Sequence, residues 1–192
     1  SGSHAEGRIA GKSAIKYIVE KGAEPNVDMA KAEELKKKIL APLDLFEAHK
    51  GETTDPEINI NYIMPRQFLF RLQKIMDEYA GGVTSAFKTS KALLERGLEL
   101  MGVLKEDSDK QAAGNLHDLM RIWENTQRMW IAESHIRTMI FREETRWPGY
   151  YFRSDTPKMD DENWKCFANC RWDPNTGEWE MMKKDIWTMP GV

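Results

Sequence analysis

Gly2, Ser3 and His4 lead into a helical pattern, and the start of a helix is a place where backbone alone can do chemistry. The first N–H groups of a helix have no partner inside it, and the aligned peptide dipoles leave that end positive. Ser3 with Glu6 three residues later reads as a capping box, and Ile9, Ala10, Ala14, Ile15, Ile18 and Val19 supply an apolar face to about Glu20. From the residues alone two readings stay open. The helix is simply capped, or its end receives an anion or a polarised carbonyl.

The other chemically capable side chains point to less. Cys166 and Cys170 are the two cysteines. On a strand their Cα atoms lie about 13 Å apart at roughly 3.3 Å per residue, beyond disulfide reach, and no third ligand stands near them in sequence for zinc or an iron–sulfur cluster. His117 and His135 sit five turns apart on one helical pattern and cannot share a metal; they read as surface or satisfied core histidines. Gly-rich phosphate loops, HExxH, GxSxG and Walker patterns are absent. No catalytic residue and no metal ligand is assigned in this chain.

The stretch Phe141 to Trp164 needs a different explanation. A helical pattern carrying Arg142, Glu143, Glu144 and Arg146 is expected to run into Trp147-Pro148-Gly149, where Pro removes a donor and Gly permits positive φ. Tyr150, Tyr151, Phe152 and Arg153 follow, then Asp155-Thr156-Pro157, the acids Asp160, Asp161 and Glu162, and Trp164. So many aromatics require a surface to pack on. Arg146 and Arg153 are expected to pair with the acids between Asp155 and Glu162 and to clamp the tail to the rest of the fold.

The elements that would position these residues are mostly helical. Asn26 or Asp28 caps a second helix with Ala32, Leu35, Ile39 and Leu40 on one face, and Pro42 is expected to kink or end it, with Leu43, Leu45 and Phe46 as a short continuation. After a polar loop from Gly51 to Asn61, Pro65 starts a helix through Phe68, Leu69, Leu72, Ile75, Met76 and Tyr79, which Gly81-Gly82 ends. Phe87, Leu93, Leu94, Leu98, Leu100, Met101 and Leu104 form the next, and Asn115 with Asp118 caps a long one from Leu116 to about Arg146. The tail after Trp164 reads as a hairpin turning at Asp173-Pro174-Asn175-Thr176-Gly177. The fold class is mainly α, an antiparallel helical bundle followed by an aromatic-rich extended tail or hairpin. Residues 26–146 are the expected bundle, and 147–192 an aromatic extension that serves as a domain or subunit interface.

Composition narrows the function classes. With 41% hydrophobic and 31% charged residues the chain is an ordinary globular protein, and a net charge of -3 without a dense basic block argues against nucleic acid. Lys36-Lys37-Lys38 beside Glu33 and Glu34 reads as a solvated helix face. No stretch approaches the roughly 20 apolar residues of a membrane span, and no basic-then-apolar leader opens the chain, so a cytoplasmic protein is expected. A start on a Gly/Ser turn without Met suggests a piece of a larger protein.

The tail also carries a resemblance. It is similar to the segment near the C-terminus of flavoprotein subunits of the succinate dehydrogenase, fumarate reductase and aspartate oxidase superfamily, where a helix ends in Glu-Ser-Arg-Gly-Ala-His and continues through Arg, Asp-x-Pro and Asp-Asp-x-x-Trp. Glu144-Thr145-Arg146, Arg153, Asp155-Thr156-Pro157 and Asp160-Asp161-Glu162-Asn163-Trp164 stand in those places. Gly-Ala-His is replaced by Trp147-Pro148-Gly149-Tyr150-Tyr151; this, with Lys165-Cys166-Phe167 and the ending Trp172 to Trp179, resembles the alpha subunits of the dissimilatory adenylylsulfate reductase family.

That resemblance implies residues 1–25 are the end of an FAD-binding domain, with Gly2, Ser3 and His4 at the cofactor and Gly7-Arg8-Ile9-Ala10-Gly11 matching a Gly-Arg-x-x-Gly helix. It implies reduction of adenylylsulfate to sulfite and AMP through a flavin N5–sulfite adduct, or the reverse reaction in sulfur oxidation. Electrons would come from iron–sulfur clusters on a beta subunit only, most of the FAD site would lie upstream, and this fragment alone would be inactive. A fumarate reductase or succinate dehydrogenase flavoprotein is the nearest rival, and a non-catalytic helical interaction module is the other class.

Overall fold

The computed structural model describes residues 2–22, 26–147, 149 and 151–187. The chain divides into two compact units, Ser1–Ile39 and Leu40–Val192. The first contains α1 (Gly2–Lys21), and α2 (Met29–His49) begins in it. Asp28 caps α2 as expected, its Oδ1 accepting from the N–H groups of Ala30 (3.0 Å) and Lys31 (3.2 Å). One expectation needs correction: helix α1 already includes Gly2, so Ser3 lies inside its first turn and does not cap it. Helix α2 runs through Pro42 to His49 and takes in the continuation over Leu43, Leu45 and Phe46. Pro25 of the expected linker, and Pro148 and Tyr150, lie outside the described residues.

The second unit is built on three helices, α3 (Pro65–Tyr79), α4 (Lys91–Glu106) and α5 (Leu116–Phe141), each packed against the other two. Their apolar residues recur at three- and four-residue spacing, so each helix has one stripe to bury. Phe68, Leu72 and Ile75 from α3, Leu94, Met101 and Leu104 from α4, and Met129, Ile136 and Met139 from α5 form the core. At Gly97 an added Cβ would lie 3.0 Å from the Tyr79 Cβ, which is why α3 and α4 approach so closely there. Asn115 caps α5 by accepting from His117 and Asp118 N–H groups. A second cluster joins Leu40 and Leu43 to Ala113, Leu119 and Ile122.

Two boundaries differ from the periodicity. Phe87 is not part of α4: with Ala86 it takes positive φ (60° and 52°), and Ser90 caps the helix by accepting from Leu93 N–H. Helix α5 stops at Phe141, not at Trp147, because Arg142 turns to extended backbone.

Beyond α5 the chain adds β2 (Phe152–Arg153), parallel to β1 (Lys88–Thr89), then α6 (Asp161–Trp164). The hairpin expected from the sequence is present as β3 (Cys166–Asp173) and β4 (Glu178–Asp185), in full antiparallel register from Cys166 opposite Asp185 to Asp173 opposite Glu178. Gly177 supplies the positive φ (73°) that the turn requires. Among the described residues no helix is long and apolar enough to cross a membrane.

Candidate functional site

The early end of α5 has a cause in side-chain chemistry. Glu144 is completely buried, and a buried carboxylate survives only if its oxygens are fully partnered. Its Oε1 accepts from Arg142 and from Arg146 Nε (2.7 Å); its Oε2 accepts from Arg146 Nη2 (3.0 Å) and the Asp160 N–H (2.9 Å). Burial opposes its charge, but the Arg146, Asp160 and Arg142 hydrogen bonds outweigh that and hold the carboxyl below its ordinary range. Arg142 donates onward to the carbonyls of Trp164 (3.0 Å) and Cys166 (2.6 Å), and Arg146 Nη2 also reaches Asp161 (2.8 Å). A helix continued through Glu144 could not make these bonds.

Arg153 makes the second half of the clamp. It is fully buried, forks onto both oxygens of Asp155 at 2.8 and 2.5 Å, and donates to the Met139 and Arg142 carbonyls left open at the end of α5. The Arg153 guanidinium, first among the causes, lowers the Asp155 pKa to about 2. Asp155 also accepts from the Lys91 N–H at the start of α4 (3.2 Å), so the tail is tied to two helices. Thr145 closes the loop, its Oγ1 accepting from Arg153 N–H (2.9 Å) and donating to the Thr156 carbonyl (2.8 Å). The expected pairing of Arg146 and Arg153 with these acids is therefore present. Glu144 and Arg142 were read from the sequence only as part of the helical pattern and, for Glu144, of the family motif; their place as the hub of the network was not. An acid between two arginines where the apolar stripe runs out was the available signal.

The hairpin docks by aromatic contacts. Trp172 packs against Trp130 of α5 (centroids 5.0 Å) and Trp179 (5.4 Å), while Lys105 Nζ lies 4.4 Å over the Trp130 ring. Trp179 Nε1 donates to Glu133 Oε1 (3.0 Å), a nearly buried carboxylate that also pairs with Arg137 (2.8 Å). Trp164 stacks edge-on against Phe141 (5.4 Å). Trp147 and Trp187 stay exposed. Three tail tryptophans thus cover the bundle itself, and two are left on the surface.

Gly2, Ser3 and His4 form the first turn of α1, and all three are exposed. No atom comes within 4 Å of a Cβ built on Gly2 or Gly7. The apolar side chains Ile9, Ile15, Ile18 and Val19 of the same helix are also exposed. Cys166 and Cys170 lie on β3 as free thiols, and His117 and His135 are both exposed along α5. Among the described residues no group of three or more His, Cys, Asp or Glu is arranged to hold a metal ion.

These features have close counterparts. Adenylylsulfate reductase subunit alpha of Megalodesulfovibrio gigas is 48% identical over 185 residues, which is 96% of this chain and 28% of the relative. The solved adenylylsulfate reductase of Archaeoglobus fulgidus superposes with a TM-score of 0.90 at 50% identity, over 95% of this chain and 28% of that one. A structure of adenosine-5-phosphosulfate reductase in complex with sulfite, as a covalent adduct, matches with the same figures. The chain thus spans little more than a quarter of the length of these relatives. Residues 70–190, from α3 to the hairpin, match the family described as fumarate reductase flavoprotein C-term, and the chain belongs to that family.

Proposed function

We propose that the chain is the C-terminal part of the flavoprotein subunit of an adenylylsulfate reductase, an enzyme that interconverts adenylylsulfate with sulfite and AMP. The observation that carries this reading is 48% identity to such a subunit across nearly the whole chain, including the bundle and the tail. The chain's own role is support. Its charged clusters are consumed by internal ion pairs, which leaves the chemistry to the part of the subunit outside this chain.

One cofactor contact is proposed within the chain. FAD, when bound, supplies the two electrons that the sulfur centre accepts or returns. Gly2, Ser3 and His4 are the residues proposed to meet it: all three are exposed on α1, and nothing crowds a side chain built on Gly2. A helix end facing the pyrimidine edge of a flavin favours negative charge there by about 0.3 to 2 kcal/mol. The exposed Trp147, Phe167 and Trp187 are the proposed contact for an iron–sulfur beta subunit, since large aromatics on a surface mark docking sites. Reduced cysteines suit a cytoplasmic setting.

The test uses the full-length subunit purified with its iron–sulfur partner, following sulfite oxidation and the flavin spectrum together. Oxidation that depends on AMP supports the proposal. Bound flavin with turnover of succinate or fumarate instead would assign the chain to a dicarboxylate enzyme, and absence of flavin would leave a helical interaction module.

A further inference from the structure

The hairpin has an edge that the rest of the fold does not use. β3 and β4 form a sheet of two strands, and among the described residues no strand pairs with the outer edge of β4. Such an edge leaves every second N–H and C=O pointing away from its ladder, ready to template another strand. Lysines are the usual guard against that, and β4 carries Lys183 and Lys184. Lys183 is turned to the hairpin's own side: its Nζ donates to the Asn163 carbonyl (3.0 Å) and lies 3.5 Å over the Trp164 ring. Lys184 has no ion pair among the described residues.

Side chains alternate along a strand, so Glu180, Met182 and Lys184 stand on one face, away from Trp179 and its contact with Trp130. Glu180 is tied only to the exposed Arg171, at 2.6 Å. When one edge strand pairs antiparallel with its own copy, the two-fold axis runs perpendicular to the sheet and facing residues point to the same side, so one residue must lie on the axis. With Met182 there, Glu180 faces Lys184 of the second copy on both sides of the axis, and Lys184 gains the partner it lacks. On the other face Trp179 meets Asp185 and Met181 meets Lys183, so no residue faces a like charge. An axis at Glu180 would oppose two carboxylates, and one at Lys184 two ammonium groups.

We propose that β4 pairs with β4 of a second copy of this chain, antiparallel about Met182, which joins two hairpins into one continuous sheet. The pairing uses the strand edge and its Glu180, Met182 and Lys184, and leaves Trp147, Phe167 and Trp187 to the iron–sulfur subunit.

The test is disulfide trapping in the full-length subunit purified with its iron–sulfur partner. Met182→Cys sets one thiol of each copy beside the axis, where facing Cα atoms lie about 4.5–5.5 Å apart, within disulfide reach. Mild oxidation is expected to give a covalent dimer of the subunit from this variant. None is expected from Glu178→Cys, far from the axis, or from the unsubstituted protein with Cys166 and Cys170. Lys184→Glu sets carboxylate against Glu180 and should raise the concentration of half-dimerisation, read by sedimentation, about tenfold. Adding Glu180→Lys to it should restore the dimer. No covalent dimer from Met182→Cys, equal trapping from Glu178→Cys, or a charge reversal that the double exchange does not rescue would overturn the proposal. So would slow exchange of the β4 amides in a single copy, because another chain would then occupy the edge. A subunit that traps through Met182→Cys but turns over no sulfite upholds the pairing and counts only against the enzymatic reading.

Discussion

The two ends of the chain treat polar and apolar groups in opposite ways. In the stretch from Arg142 to Trp164, charged side chains are buried: Glu144 and Arg153 have no exposed surface, and every one of their charged atoms has a partner. In α1, apolar side chains are exposed: Ile15, Ile18 and Val19 are each about two-thirds or more accessible. Buried, fully paired charge specifies one arrangement of a chain and leaves little reactivity. Exposed apolar surface is suited to packing against something else. Function is therefore expected to respond to α1 and stability to the clamp.

The largest effect should come from Glu144→Ala. It strands Arg142 and Arg146 around an empty buried site and should cost about 3–5 kcal/mol, read by urea or thermal denaturation. A loss under about 1 kcal/mol would break the contrast, since the clamp would then be no firmer than a surface pair.

Acid should act on the same region. The Asp155 pKa is lowered to about 2 from an ordinary value of 3.8, so its ion pair with Arg153 stabilises the fold fully above about pH 4. That contribution is lost as the pH falls toward 2. It amounts to on the order of 2 kcal/mol before solvent screening trims it. Glu144 and Asp107 are lowered too and steepen the same limb. Asp155→Asn should flatten the stability profile below pH 4; an unchanged slope would remove Asp155 from the explanation.

Trp179→Phe keeps the stack on Trp172 but deletes the hydrogen bond to Glu133, for about 1 kcal/mol and faster hydrogen exchange along β3 and β4. The smallest effect on stability belongs to α1. Ile15→Ser should shift the unfolding of this chain by no more than about 0.5 kcal/mol, yet lower flavin retention in the full-length subunit. A large stability loss here would mean that α1 belongs to the same cooperative unit as the clamp.

Much of this was legible in the residues, and the exceptions share a cause. Local signals placed α3, the Asn115 cap of α5 and the hairpin turn, because helix periodicity, a capping side chain and Asp-Pro-Asn-Thr-Gly act within a few residues. The pairing of Arg153 with Asp155 was legible as well, as an arginine two residues from an acid in a short loop. The early stop of α5 was not. Glu143, Glu144 and Arg146 all favour helix locally, and only bonds to Asp160, Asp161, Trp164 and Cys166, far along the chain, pull that segment out. Phe87 was assigned to α4 for the same reason. Its hydrophobicity suited the stripe, but its carbonyl accepts from the Phe152 N–H (2.9 Å) in the short pairing of β1 with β2. Around the first turn of α1 the residue types were readable, whereas the exact start was not: Ser3 has a capping residue's chemistry but sits inside the first turn.

The decisive experiment is turnover per assembled flavin in the full-length holoenzyme carrying Arg146→Ala, measured beside the yield of assembled complex. Among the described residues Arg146 pairs with Glu144 and Asp161 alone, so a purely structural clamp gives less complex with unchanged AMP-dependent sulfite oxidation per flavin. Normal assembly with lost turnover would place Arg146 in the chemistry and contradict the division between a supporting bundle and a reacting site elsewhere.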